Sequence, residues 1–418
     1  MSGLRRNGKV GIALAGGGPL GGVYEIGALV ALEKALKGVN LTDVDIYVGV
    51  SSGAFVAAGL ANGISPSEMH AMFILDRSHH DPFEPGLLLR PAFGEFARRL
   101  MAMPELVQSA AIAYFGASLG RGFIESFARL ARALPNGMFD NNAIASYLAR
   151  LFSEPGRTDD FRKLGHKLFI VATDLDSGEA APFGAPGFDH VPISEAVKAS
   201  SALPGLYPPA RIGGRDYVDG ALKKTLHASV ALKEGAKLLI CINPLVPYSA
   251  RRAAAAGGRP VRLAERGLVA VLSQTFRALI HSRMRVGMER YAREFPDADV
   301  VLFEPAQEDE VIFFANIFSY ADRRRLAEHA YRHTVAELRR RAGELAPIFA
   351  RHGLELDAPM PQDEHQSPAK PSQAGKLWAS VKPLEKTLGE LEKALSRGSP
   401  GRSGGVKRNA AKAAAPDA

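Results

Sequence analysis

Val44-Asp45-Ile46-Tyr47-Val48-Gly49-Val50-Ser51-Ser52-Gly53-Ala54-Phe55-Val56-Ala57-Ala58-Gly59-Leu60 changes character halfway along its length. The residues before Ser51 are β-branched and aromatic, as in a buried strand, and those after Gly53 read as a buried helix. The junction, Gly49-Val50-Ser51-Ser52-Gly53, is a G-x-S-x-G sequence. Such an elbow forces its serine into strained backbone angles so that Oγ projects from the sheet, while the flanking Gly49 and Gly53 let strand and helix pass close together. The helix N-terminus then turns its unpaired N–H groups and the positive end of its dipole toward an oxyanion. In a chain with 42 glycines such strings arise by chance, so it is the strand-to-helix setting that makes Ser51 the candidate nucleophile.

Upstream, the apolar run Val10 to Ala15 reads as a strand and Val23 to Leu36 has helical spacing. Gly16-Gly17-Gly18-Pro19-Leu20-Gly21-Gly22 between them is expected to be a loop made almost wholly of backbone, which suits it to cradle an anion. The same letters satisfy G-x-G-x-x-G, the dinucleotide-binding fingerprint, with Asp43 or Asp45 at the separation of a ribose-binding acid. That acid belongs at the carboxyl end of the second strand, whereas Asp43 and Asp45 stand at its start. An oxyanion loop facing Ser51 is the preferred reading, with Gly16, Gly17, Gly18 and Gly21 as its backbone. Pro19 has no N–H to donate.

A serine needs a base. Arg215-Asp216-Tyr217-Val218-Asp219-Gly220-Ala221 reads as a short strand ending in an acid on a Gly220-Ala221 turn, and Asp219 is the candidate. A solvated Asp, with a pKa near ~3.9, is a weak base for a hydroxyl, so a Ser/Asp pair leans heavily on oxyanion stabilisation. The bland reading of Asp219 is a turn-forming Asp-Gly.

Five blocks in this order resemble the patatin-like phospholipases: Gly16 to Gly21, Gly49 to Gly53, Ala172-Thr173-Asp174-Leu175-Asp176-Ser177-Gly178-Glu179, Ala199-Ser200-Ser201-Ala202-Leu203-Pro204-Gly205-Leu206-Tyr207-Pro208-Pro209, and Val218-Asp219-Gly220-Ala221. The resemblance is strong over about residues 8 to 245 and weaker to about 350. It implies a three-layer α/β/α fold, lipid acyl hydrolysis without a cofactor, Ser51 as nucleophile, Asp219 as general base and the glycine loop as oxyanion hole. Leu20 stands where relatives usually carry Arg or Lys, and Ala221, Lys223, Lys224 and Thr225 replace the usual second glycine and Asn/Pro turn. These departures leave the head-group preference open and keep two other readings in view: a lipid-binding or scaffolding module with little turnover, and a transacylase.

A Ser-His-Asp triad is the mechanistic rival and nominates His227 or His281. His227 follows Asp219 closely in an apolar stretch and reads as a packing residue. His79-His80, beside Asp76 and Asp81, is a weak metal candidate, since neither H-E-x-x-H nor a cysteine cluster accompanies it and a dyad needs no metal. The single cysteine, Cys241, excludes an internal disulfide framework and sits in a buried-strand pattern, so it is expected to be an inert thiol. Ile46 to Ser67 is free of charged residues and long enough to span a bilayer, yet it holds four glycines and Pro66, and reads as buried strand plus buried helix.

Strands at Val10 to Ala15, Asp45 to Val50, Lys167 to Thr173, Leu238 to Ile242 and Asp299 to Phe303 alternate with helices, which argues a largely parallel sheet covered on both faces. A catalytic domain is expected over residues 1–357. It includes a helical, lid-like insertion at about 76–135, with amphipathic pieces at Phe93 to Met101 and Phe123 to Arg132, and a C-terminal helical part, 261–357, helical over Val261 to Tyr291 and Ala321 to His352. Residues 358–418 form a low-complexity tail, with ten Lys/Arg against six Asp/Glu from Pro361 onward in a chain of net charge +8. Within it, 377–396 can form a short amphipathic helix carrying the only tryptophan, Trp378. Peripheral contact with a membrane or lipid-granule surface follows as an expectation. Nucleic-acid binding does not, because no recognition motif accompanies the charge. Met1 to Lys9 is basic but leads only into the first strand, so a cytoplasmic protein is expected. The sequence is silent on oligomeric state.

Overall fold

The apolar runs expected as strands are strands in the computed structural model, which describes residues 7–77, 90–92, 136–257, 262–315 and 320–357. In chain order the strands of the main sheet are β1 (Lys9–Leu14), β2 (Ile46–Gly49), β3 (Lys167–Asp174), β4 (Ala180–Phe183), β5 (Ala210–Ile212), β6 (Arg215–Asp219), β7 (Ala236–Ile242) and β8 (Asp299–Phe303), of which β4 and β5 have no counterpart among the expected strands. They join in one sheet in the order β5-β6-β3-β2-β1-β7-β8, with β4 also paired to β3. The β3-β2-β1-β7-β8 part is parallel throughout, and the antiparallel strands β4, β5 and β6 gather at its β3 end.

The central strands are apolar at nearly every position because both faces are covered. On one face Ile12, Leu14, Tyr47, Ile170 and Ile240 pack in the larger core cluster, and on the other Ala13, Val48, Phe169, Val171 and Cys241 pack in the second. The first face carries α1 (Gly18–Ala35), α2 (Ser52–Ala61), α3 (Asn142–Leu151), α4 (Ile193–Ser200) and, further along the chain, the helix Tyr320–Arg340. The second face carries α5 (Ser229–Lys233) and α6 (Leu268–Glu294). The result is the three-layer α/β/α arrangement. The uncharged stretch from Ile46 divides into β2 and α2, and among the described residues no helix is long and apolar enough to cross a membrane.

Two helical boundaries differ from the sequence reading. The loop expected over Gly16 to Gly22 is shorter, because α1 begins at Gly18 with Pro19 in its first turn, where the fixed φ of proline suits a helix start. The helical region expected over Ala321 to His352 is two helices, α7 (Tyr320–Arg340) and α8 (Ala342–Arg351). Arg341 lies between them, and its guanidinium binds Glu337, Glu344 and the Leu302 carbonyl. Most of the insertion at 76–135, including both amphipathic pieces, together with His79-His80 and the whole tail with Trp378, lies outside the described residues. By contact the chain divides into the units Met1–Pro361 and Gln362–Ala418, and the described residues all belong to the first.

One register detail prepares the site. Ile170 of β3 pairs with Gly49 and with Phe183, and Ala172 pairs with Asp219 and with Ala181. A strand residue has one neighbour on each side, so β4 lines one edge of β3 while β2 and then the end of β6 share the other. β2 stops at Gly49, and Asp219 arrives from the opposite direction two residues further along the same edge.

Candidate active site

Ser51 follows the carboxyl end of β2 and is the N-cap of α2, with φ 54° and ψ −121°. A non-glycine residue with positive φ is strained by roughly 1–3 kcal/mol and persists only where its surroundings enforce it. Several contacts do so here. Val50 N–H donates to Leu14 O (3.1 Å), Gly53 N–H to Val50 O (2.9 Å) and Ala54 N–H to Ser51 O (3.0 Å), which ties the turn to β1 and to its own helix. Gly53 lies so close to the end of β1 that a Cβ there would fall 2.5 Å from Leu14 O and 2.6 Å from Ala15 O. The Ser51 N–H itself donates to the Ser200 hydroxyl (2.8 Å), which in turn donates to Val171 O (2.6 Å). Ser200, at the end of α4, is fully buried, and it spans the gap between elbow and β3 that the register leaves open.

Asp219 is 2% exposed and reaches the same point from β6. Its Oδ1 accepts the Ala221 N–H (2.8 Å), and the Ser51 side chain is close enough to favour its charged form. Burial raises its pKa to about 6, with the Ser51 side chain and the Ala221 N–H pulling the other way. That corrects the sequence-level picture of a solvated, weakly basic Asp: desolvation makes this carboxylate a stronger base, poised nearer neutral pH. Gly220, behind it, packs on the backbone of Val171 and against Val50, so the base turn and the elbow rest on one strand.

The glycine loop closes the third side. A Cβ on Gly16 would lie 3.1 Å from the Cβ atoms of both Ser51 and Ala221 and 3.8 Å from Ser51 Oγ, which puts loop, elbow and base turn in mutual contact. Gly17 is wedged against Pro244, just beyond β7, where a Cβ would come within 2.6 Å of its Cγ. Gly18 has φ 62° and opens α1, and Gly21 N–H is already engaged by Gly17 O (3.1 Å). Of the four expected oxyanion glycines, then, Gly21 donates within its own helix, while Gly16 stands at Ser51. At the first residue of α2, the Ser52 hydroxyl is buried without a hydrogen-bond partner among the described residues, and a Cβ on Gly21 would meet it at 3.1 Å. Beneath the loop, the fully buried Glu25 of α1 has neither carboxyl oxygen hydrogen-bonded among the described residues, and burial holds its pKa well above the usual carboxylate range.

The histidines stand apart from this constellation. His227 is buried with φ 46°, its Nε2 lies 3.3 Å from Gly220 O, and burial lowers its pKa to about 4, so it is a neutral packing residue. It precedes α5 rather than sitting within a helix. His281 faces Glu304 at 3.5 Å. Cys241 is fully buried with its thiol pushed up to about 12, the inert thiol expected. Asp45, set aside as a ribose-binding acid, receives the Val10 N–H (2.9 Å) at the start of the sheet. Lys223, in the turn after Asp219, reaches back to Glu179 and Gly178 O (both 2.8 Å), which fastens that turn to the Ala172 to Glu179 run. The sequence reading missed the part played by Ser200 and Pro244. The only local signal was a polar pair, Ser200-Ser201, closing an otherwise apolar helix face.

Chemically, the arrangement offers a hydroxyl held in a strained turn, a carboxylate of raised basicity beside it, and backbone at the start of two helices converging on one point. The family model described as Patatin-like phospholipase matches residues 12–232. Among solved structures, VipD from Legionella pneumophila is similar at 13% identity and a TM-score of 0.35, over 79% of this chain and 67% of that one. The type III effector protein ExoU, found in Pseudomonas aeruginosa, is similar at 16% identity and a TM-score of 0.32, over 80% of this chain and 53% of that one. The chain thus corresponds to about half the length of ExoU.

Proposed function

The chain belongs to the patatin-like phospholipases, and from that premise we propose that it is a serine hydrolase of lipid acyl esters, with Ser51 as nucleophile and Asp219 as general base. The observation that carries the reading is the convergence of Ser51, at φ 54°, and the base turn of a buried carboxyl with a pKa of about 6 on Gly16, where an added Cβ would lie 3.1 Å from the Cβ atoms of both Ser51 and Ala221. In the proposed reaction the ester carbonyl enters beside Gly16, and Ser51 Oγ attacks its carbon as Asp219 takes the hydroxyl proton. Backbone N–H groups at the starts of α1 and α2 stabilise the oxyanion. The intermediate collapses to an acyl-serine, and the leaving alkoxide takes the proton from Asp219. A water then gives a proton to Asp219 and attacks the acyl carbon, which frees the carboxylic acid and restores Ser51. No step requires a cofactor.

Residues 1–357 are proposed as the catalytic domain, with the insertion at 76–135 and the basic tail as the parts that meet a lipid surface. A cytoplasmic protein with peripheral membrane contact is the corresponding location. Labelling with a fluorophosphonate tests the reaction class, because only an activated serine reacts. The full chain should label once and hydrolyse p-nitrophenyl acyl esters, and Ser51→Ala should do neither. A folded wild-type chain that resists the probe would return the reading to a lipid-binding module. A phospholipid panel followed by mass spectrometry then assigns head group and acyl position, and added alcohol acceptors separate hydrolysis from transacylation.

A further inference from the structure

On the far side of the base turn, a cavity of about 320 Å³ lies between residues 221–233 and α6. Small-molecule sites begin at roughly this size. The walls are mainly apolar, from Leu226, Phe276, Ile280, Met284, Met288 and Tyr291, and the rim is cationic, with Lys224, Lys233 and Arg283 beside Lys223, paired with Glu179, and Arg290, paired with Glu294. Lys224 shows the imbalance: burial and the charges of Arg290, Lys233 and Lys223 lower its pKa, and only Glu294 opposes them. Two further wall residues, Leu279 and Val286, are 61% and 63% exposed, and together with Leu268 and Leu272 they form an apolar stripe along α6. Apolar walls leading to a ring of positive charge are the two halves of an amphiphile's complement.

We propose that this cavity binds a single-chain lipid with an anionic head, the chain against the α6 wall and the head, carboxylate or phosphate, on the Lys/Arg rim. Neither Ser51 nor the Gly16 to Gly22 segment lines it, so it is separate from the reacting groups. Its inner wall is nevertheless Ala221-Leu222, and the Ala221 N–H is bonded to Asp219 Oδ1 (2.8 Å). An occupant therefore contacts the turn that carries Asp219. A carboxylate product of the proposed reaction and a lysophospholipid both have this chemistry. The binding claim itself does not depend on turnover at Ser51.

The test measures binding to the full chain carrying Ser51→Ala, so that turnover plays no part. The probes are oleate, an oleoyl lysophosphatidate and, as the uncharged control, monoolein, each below its critical micelle concentration. Gly287 supplies the decisive variant. It sits mid-helix on the cavity wall, where an added Cβ would make only ordinary contacts with the Tyr291 ring at 3.7–3.9 Å, so Gly287→Phe fills the space while Gly287→Ala controls for the backbone. The expected result is one-to-one binding of at least one anionic probe, with monoolein at least tenfold weaker. Gly287→Phe and Arg290→Glu should each weaken the anionic probe at least tenfold, and Gly287→Ala should bind within twofold of its parent. The difference between oleate and lysophosphatidate identifies the head. Unchanged binding in Gly287→Phe, or equal binding of monoolein, overturns the proposal. Fluorophosphonate labelling of each variant with Ser51 restored reports on the reaction class separately.

Discussion

Replacing Asp219 with Asn should make the protein more stable at neutral pH, by an amount that vanishes in acid. The folded carboxyl titrates at about 6, against about 3.9 in an unfolded chain, because burial disfavours its charge. Below pH 4 both states hold the proton, and the side chain carries no ionisation penalty. Between pH 4 and 6 the folded state binds more protons than the unfolded one, so stability falls as pH rises, and the loss is complete above about 6. A shift of about 2 units corresponds to about 3 kcal/mol. The Asn amide is never ionised, its Oδ1 can keep the Ala221 N–H and its Nδ2 can face Ser51, so Asp219→Asn escapes that loss. Urea denaturation of the two proteins at pH 4, 5, 6 and 7 isolates the effect. Carboxylates with lowered pKa values, such as Asp160 at about 2, have the opposite pH dependence but are common to both proteins and cancel in the difference. The stability gap should be near zero at pH 4 and about 3 kcal/mol by pH 7, while the wild-type kcat/KM falls on the acid side with an apparent pKa near 6. A gap independent of pH, or one that widens toward acid, would refute the argument that burial raises this carboxyl.

Ser51→Gly and Ser51→Ala should both abolish turnover, yet the glycine variant should be more stable than the alanine variant by about 1–3 kcal/mol, because only glycine relieves the positive φ; thermal melts compare the two. Ser200→Ala removes the acceptor of the Ser51 N–H and the donor to Val171 O in a fully buried place, at about 1–3 kcal/mol for each orphaned group. Because its action is on the elbow, kcat should fall while KM and the acid-limb pKa stay close to wild type. Gly53→Ala sets a Cβ against the Leu14 and Ala15 carbonyls and should leave little folded protein by circular dichroism, whereas Gly343→Ala, with open space around it and no positive φ, should remain folded.

Much of the architecture was legible because its signals are local. Val10 to Leu14, Ile46 to Gly49 and Leu238 to Ile242 are runs whose neighbours alone mark them as doubly buried strands. The elbow was equally readable, since strand, glycine, serine and helix adjoin one another. The start of α1 was less so: glycine is a poor helix former, and the helix nevertheless reaches back to Gly18, with Pro19 in its first turn and Gly17 pressed against Pro244 and Gly21. At the break, Arg341 also reaches the Leu302 carbonyl (2.9 Å), a contact that only the folded chain brings together.

Residue types and their spacing determined the strands, the order of the motifs and the candidacy of Ser51 and Asp219. Tertiary structure alone decided that both residues lie along one edge of β3, that Ser200 holds the elbow from 149 positions away, and that Asp219 is dry enough to titrate near 6. The physical reason is range. Propensity and turn chemistry act over a few residues, whereas desolvation and hydrogen-bond geometry are properties of whatever the folded chain brings alongside.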